Sequence, residues 1–86
     1  MRIVKEGQLY KHFKGHNYKV LMIAYDSDKY NENNPLESRM VVYQNVDTKE
    51  IWVRSYGDFV SEVDHRKYPN VKQKYRFQEI NDEKEE

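Results

Sequence analysis

The chain has 86 residues and a mass of 10.6 kDa, with 15 Lys and Arg against 15 Asp and Glu, three His and no Cys. That length supports one small domain, and the lack of Cys excludes disulfides, thiolate zinc sites and Cys nucleophiles. Only 37% of residues are hydrophobic and the mean hydropathy is -1.15, so the core is thin, yet 14% aromatic residues exceed what a disordered chain usually carries.

Helical periodicity is weak throughout, whereas strand signals recur. Gln8 to Phe13 reads as a strand that ends at Lys14-Gly15-His16-Asn17, where Gly15 can take a positive φ and reverse the chain. Tyr18 to Tyr25 is apolar on both faces near its centre, with Tyr18, Val20, Met22 and Ala24 on one and Lys19, Leu21, Ile23 and Tyr25 on the other. It is expected to be a central strand. Asp26 to Pro35 is a loop rich in Asn and Asp. Met40 to Tyr43 and Ile51 to Val53 are β-branched and aromatic runs joined by a polar hairpin connection over Gln44 to Glu50. Ser55-Tyr56-Gly57-Asp58 has capping-box spacing and starts one short helical turn, which points Phe59 into the core. Residues 64–74 form an exposed polar connection, and Tyr75 to Ile80 a closing strand.

Charge is uneven along this order. Residues 1–24 carry Arg2, Lys5, Lys11, Lys14 and Lys19 against Glu6 alone, residues 25–50 are acidic, and residues 51–80 are mildly basic. Residues 81–86 hold four acidic side chains, one Lys and no apolar group, so a disordered acidic tail is expected after a body of net charge +3. No run approaches the ~18 apolar residues of a membrane span. No apolar signal segment follows Arg2 and Lys5, so a cytoplasmic location without a membrane partner is expected.

Four or five short antiparallel strands protect their edges most economically by closing. The expected fold is mainly β: a single small antiparallel SH3-like barrel or roll over residues 1–80, with one short helical turn. A five-stranded OB-type barrel is the rival, disfavoured because no segment supplies its helix between the third and fourth strands.

Tyr10-Lys11-His12-Phe13-Lys14-Gly15, Tyr18-x-Val20-Leu21-x-x-Ala24, Val41-Val42-Tyr43-Gln44, Trp52-Val53-Arg54 and Phe59-x-x-Glu62-Val63 stand in order along the chain. Together they resemble a small bacterial family, the domain of unknown function numbered 1653, over roughly residues 7–63 and the Tyr75 to Phe77 strand. The resemblance implies a compact SH3-like barrel and no particular activity. The chain departs from the family pattern in the extra stretch between Asp28 and Pro35, and in Ser55, where the family usually has Pro. Ser and Pro both suit the start of a helical turn.

The chemistry-bearing motifs are few. There is no Gly-x-Ser-x-Gly, no phosphate-binding Gly loop and no dinucleotide fingerprint. His12 and His16 span a turn rather than a helix and lack a third spaced ligand, and Asp26, Asp28 and Glu37 lack the Gly and terminal Glu of a calcium loop. No metal and no cofactor are therefore expected. Ser27, Ser38, Ser55 and Ser61 show no spacing to a His base, and capping explains Asp58 more simply than paired-carboxylate catalysis with Glu62.

Aromatic and basic residues make the one constellation with functional promise. Tyr10, His12 and Lys14 alternate on one face of the first strand, Trp52 and Arg54 share a face of another, and Tyr43 stands on a third. Brought together, these six would offer rings for stacking and cations for phosphate or carboxylate. Against this, a lone Trp in a small β-domain is more often core, Arg54 can pin the helical turn through Asp58 or Glu62, and Tyr10 and Tyr18 can serve simply as anchors. The function expected is a non-catalytic module that binds a protein or peptide partner. A single-stranded nucleic-acid-binding module and a homo-oligomerising domain are the alternatives, with an enzyme or small-metabolite binder ranked last.

Overall fold

The computed structural model describes residues 3–80. The expected acidic tail at 81–86 lies outside the described residues. Five strands form one antiparallel sheet: β1 (Leu9–His12), β2 (Asn17–Tyr25), β3 (Arg39–Asn45), β4 (Ile51–Ser55) and β5 (Phe77–Ile80), in the order β4-β3-β2-β1-β5. β2 is central, as its two apolar faces require.

Local chemistry explains the connections. Gly15 takes φ +107 in the β1–β2 turn, a region where a Cβ would be strained. In the β3–β4 turn the buried Asn45 amide oxygen accepts from the Asp47 and Thr48 N–H groups at 2.8 and 3.0 Å, and Lys49 adopts φ 72. The Asn45 N–H donates to the Glu50 carbonyl while its own carbonyl accepts from Lys49, the pattern of a bulge that tightens the hairpin. The loop between β2 and β3 ends in a 3-10 turn, Pro35–Ser38, that the sequence patterns do not signal; the Ser38 hydroxyl is buried there and donates to the Pro35 carbonyl. After β4, Ser55 accepts the Asp58 N–H at 3.2 Å and caps α1 (Tyr56–Phe59), the expected helical turn.

A register shift in β2 corrects the expected facing. Val20 opposes Tyr43, but Met22 opposes Val42, so Leu21 is an extra residue. Val20 and Ile23 therefore pack toward the core while Met22, expected beside Val20, is 47% exposed. The bulge also increases the local twist.

The sheet is strongly curled. Four strand spacings separate β4 from β5, about 19 Å in a flat sheet, more than an Arg and a Phe side chain could span. Yet the Arg54 guanidinium on β4 lies 5.8 Å from the centroid of the Phe77 ring on β5. The curl wraps Val4, Tyr10, Val20, Val41, Tyr43, Phe59 and Phe77 into one core. Phe59 and Phe77 stack at 4.1 Å, and Tyr10 and Tyr43 meet Phe59 edge-on at 5.1 and 5.3 Å. Four aromatic rings thus offset the shortage of aliphatic residues.

Closure into a hydrogen-bonded barrel is not found. Among the described residues no ladder joins β4 to β5, so of the expected barrel or roll the closed form is not found and the sheet is curled and open. Its reason lies at Ser55, where capping converts the chain from strand to helix after only five residues of β4. The gap is crossed instead by a short pairing of 61–63 with 74–76, with a bridge between Glu62 and Tyr75. Among the described residues no helix is long and apolar enough to cross a membrane.

Candidate functional site

The curl brings His12, Lys14 and Arg54 to one cleft of about 200 Å³, completed by Phe13, Asp64, Lys67, Tyr68 and Arg76. Each wall has a local cause. His12 ends β1 on the core side, where its ring stacks on Phe13 at 4.6 Å and meets Phe77 edge-on at 4.9 Å. The Lys14 N–H donates to His12 Nδ1 at 3.1 Å, which holds the ring in place and requires that nitrogen unprotonated. Arg54 Nε donates to the Tyr43 hydroxyl at 3.3 Å, which aims the guanidinium across the core toward β5.

The far wall comes from the connection before β5. Asp64 Oδ1 accepts the Arg66 N–H at 3.1 Å and folds the start of this segment. The Gln73 side-chain amide donates to the Lys11 and Tyr75 carbonyls at 3.0 and 2.8 Å, tying the segment to β1. Tyr68 then meets Phe13 at 5.1 Å, and the ammonium groups of Lys14 and Lys67 stand 5.7 and 5.9 Å from the Tyr68 ring. Among the described residues Arg76 Nε is buried without a hydrogen-bond partner. A buried donor left unsatisfied costs about 1–3 kcal/mol.

Four basic side chains, Lys14, Arg54, Lys67 and Arg76, thus line the cleft with one carboxylate, Asp64. Burial, and then the positive charges of Arg54, Lys14, Arg76 and His16, lower the His12 pKa from 6.5 to about 4. The imidazole is therefore neutral at physiological pH, and the cleft can receive a carboxylate or phosphate oxygen. A larger hollow of about 440 Å³ beside β5 is lined by Ile3, Tyr10, Lys74, Tyr75, Gln78 and Glu79. Its single Lys and single Glu leave it without a charge excess, so volume is the poorer guide here.

Of the six residues expected to form a binding face, three line this cleft and three do not. Tyr10 and Tyr43 are only 2% and 5% exposed, so their rings belong to the core. Tyr10 donates to Gln8 Oε1, and Tyr43 acts through Arg54. Trp52, for which a core position is the commoner outcome, is 49% exposed on the open edge of the sheet. Phe13, Lys67, Tyr68 and Arg76 were missing from the sequence-based set. Their signal was the repeated placing of a cation beside a ring, in Phe13-Lys14, Lys67-Tyr68 and Tyr75-Arg76.

A family model described as a protein of unknown function (DUF1653) matches residues 8–79, which takes in every residue of the cleft. No curated protein and no solved structure matches the chain.

Proposed function

Because the chain belongs to the DUF1653 family, whose description assigns no activity, we propose from its geometry that it is a non-catalytic module binding an acidic segment of a protein partner. The observation that carries this reading is that Lys14, Arg54, Lys67 and Arg76 line one cleft together with the rings of Phe13 and Tyr68. A guanidinium in such a place suits a planar carboxylate, and the rings of Phe13 and Tyr68 suit the aliphatic stem that carries it.

Single-stranded nucleic acid fits less well. Its sequence-tolerant binding relies on exposed rings for stacking and on a track of cations along the backbone. Here Phe13 and Tyr68 are half-buried, Trp52 lies on another part of the sheet, and the cations are gathered at one point.

An amide-shift titration with a Glu-rich peptide and with an oligouridylate, at about 50 and about 300 mM salt, tests the reading. The peptide is expected to shift His12, Lys14, Tyr68 and Arg76, and a Lys14→Glu/Lys67→Glu variant to bind roughly tenfold or more weakly. No shift with the peptide, or stronger shifts with the oligonucleotide at both salts, would overturn it.

A further inference from the structure

β4 is an edge strand with an apolar run. It carries Ile51, Trp52 and Val53 at 59%, 49% and 58% exposure, with no Pro, no Lys and no bulge along its free side. The other edge, β5, carries Glu79 and Gln78 and is flanked by Lys74 and Arg76. Charged, short edges are how folded β proteins avoid pairing with one another. β4 is the more apolar edge, its one charged side chain, Arg54, being turned toward β5, and its backbone phase and side chains fit one occupant in particular.

The phase follows from the hairpin. The Asn45 N–H donates to the Glu50 carbonyl, so in register the pairs Tyr43–Trp52 and Val41–Arg54 exchange hydrogen bonds across β3 and β4. Ile51 and Val53 consequently direct their N–H and carbonyl groups away from β3, toward solvent. Any strand added here must bond to those two residues.

We propose that β4 pairs antiparallel with β4 of a second copy of this chain, about a two-fold axis passing between the two Trp52 residues. In that register Ile51 of each copy exchanges two hydrogen bonds with the partner's Val53, giving four in all. The side chains agree on both faces. On the outer face Ile51 meets the partner's Val53, two apolar groups that are both exposed in the single chain. On the inner face Trp52 meets the partner's Trp52 at a non-hydrogen-bonded position, where side chains approach most closely. Glu50 stands opposite the partner's Arg54 in register, but that guanidinium is turned to Tyr43 and β5, so the match rests on the hydrogen bonds and the apolar side chains.

Shifting the axis to Val53 spoils this agreement. Ile51 would then oppose the partner's Ser55, which as the N-cap of α1 already turns its carbonyl into the helix. The Trp52 register also joins the outer rows of the two sheets, since Val53 continues the row of Met22 and Val42. Five-residue strands bury less surface than the ~1,200 Å² of a standard stable interface, so the dimer is a weak one, with Kd of about 10 µM to 1 mM.

Sedimentation of the full chain from about 10 µM to about 1 mM should show mass rising from 10.6 kDa toward twice that value. A mixture of labelled and unlabelled protein should give contacts between Ile51 and the partner's Val53, and between the Trp52 rings. The amides of Ile51 and Val53 should gain protection from exchange with concentration while that of Trp52 does not. Val53→Lys places like charges near the axis at a solvent-exposed position and should weaken association tenfold or more with an unchanged far-UV spectrum. Trp52→Ala provides a second loss of association should the first variant misfold. A constant monomer mass throughout that range overturns the proposal. So does protection of Ile51 and Val53 that appears only when a peptide is added, which would make β4 an acceptor for another protein's strand.

Discussion

Acidification offers a quantitative test of the cleft, because His12 is held neutral by its surroundings. Burial contributes most to this, followed by Arg54, Lys14, Arg76 and His16, and together they bring the pKa from 6.5 to about 4. Since the folded value lies below the unfolded one, the unfolded chain takes up a proton at pH values where the folded chain does not. The associated stability is complete above about pH 6.5 and is lost as pH falls through about 4. At 1.36 kcal/mol per unit the largest possible loss is about 3 kcal/mol. The ring is only partly buried, so solvent screening reduces the expected loss to about 1–2 kcal/mol. Urea unfolding followed by circular dichroism at roughly pH 7.5 and pH 4, on the native chain and on His12→Gln, isolates this contribution from that of the carboxylates. The native chain should lose about 1–2 kcal/mol more than the variant over that interval. Equal losses, or a His12 ring that titrates near 6.5 by NMR, would refute the electrostatic account of the cleft. By the same logic an anion seated among the cations must raise the His12 pKa, so peptide binding and proton uptake are coupled.

Two further outcomes follow from the core and the hairpin. Phe59 is fully buried against Tyr10, Tyr43 and Phe77, so Phe59→Ala should cost about 3–5 kcal/mol by urea denaturation, a large share of the total stability of a chain this size. Asn45→Ala leaves the Asp47 and Thr48 N–H groups without their acceptor and should cost about 1–3 kcal/mol, whereas Asn45→Asp keeps the acceptor and should lower the melting temperature less.

Strand identities were legible because they rest on local chemistry. β-branched and aromatic runs located β2, β3 and β4, Gly15 located the first turn, and Ser55 located α1. Facing was legible only in part. Alternation says which residues share a side, but the bulge at Leu21 reverses the sides halfway along β2, and no sequence pattern marks it. Likewise Tyr10 and His12 do follow one another along β1, but Lys14, expected on the same strand face, falls in the turn after it, and the three are buried, half-buried and exposed in that order. Cleft membership was hardest to foresee. Arg54 and Arg76 meet only because a sheet with β4 and β5 at opposite edges bends back on itself, and Lys67 and Tyr68 join through a connection whose polar composition resembles that of any exposed loop.

The pairing of β1 with β5 has a consequence for how the molecule responds to occupancy. Leu9 stands opposite Ile80, and His12 opposite Phe77, so four residues near each end of the described chain are zipped together across the whole of the intervening sequence. Peeling β5 away would withdraw Arg76 and the Phe77 ring that backs His12 at once and leave the β2–β3–β4 meander paired. The cleft therefore exists only in molecules whose two ends are in register, and an acidic ligand acts as a latch on that zipper. At a ligand concentration a hundred times Kd the latch is worth about 2.7 kcal/mol, and it should appear first as slower amide exchange along residues 77–80.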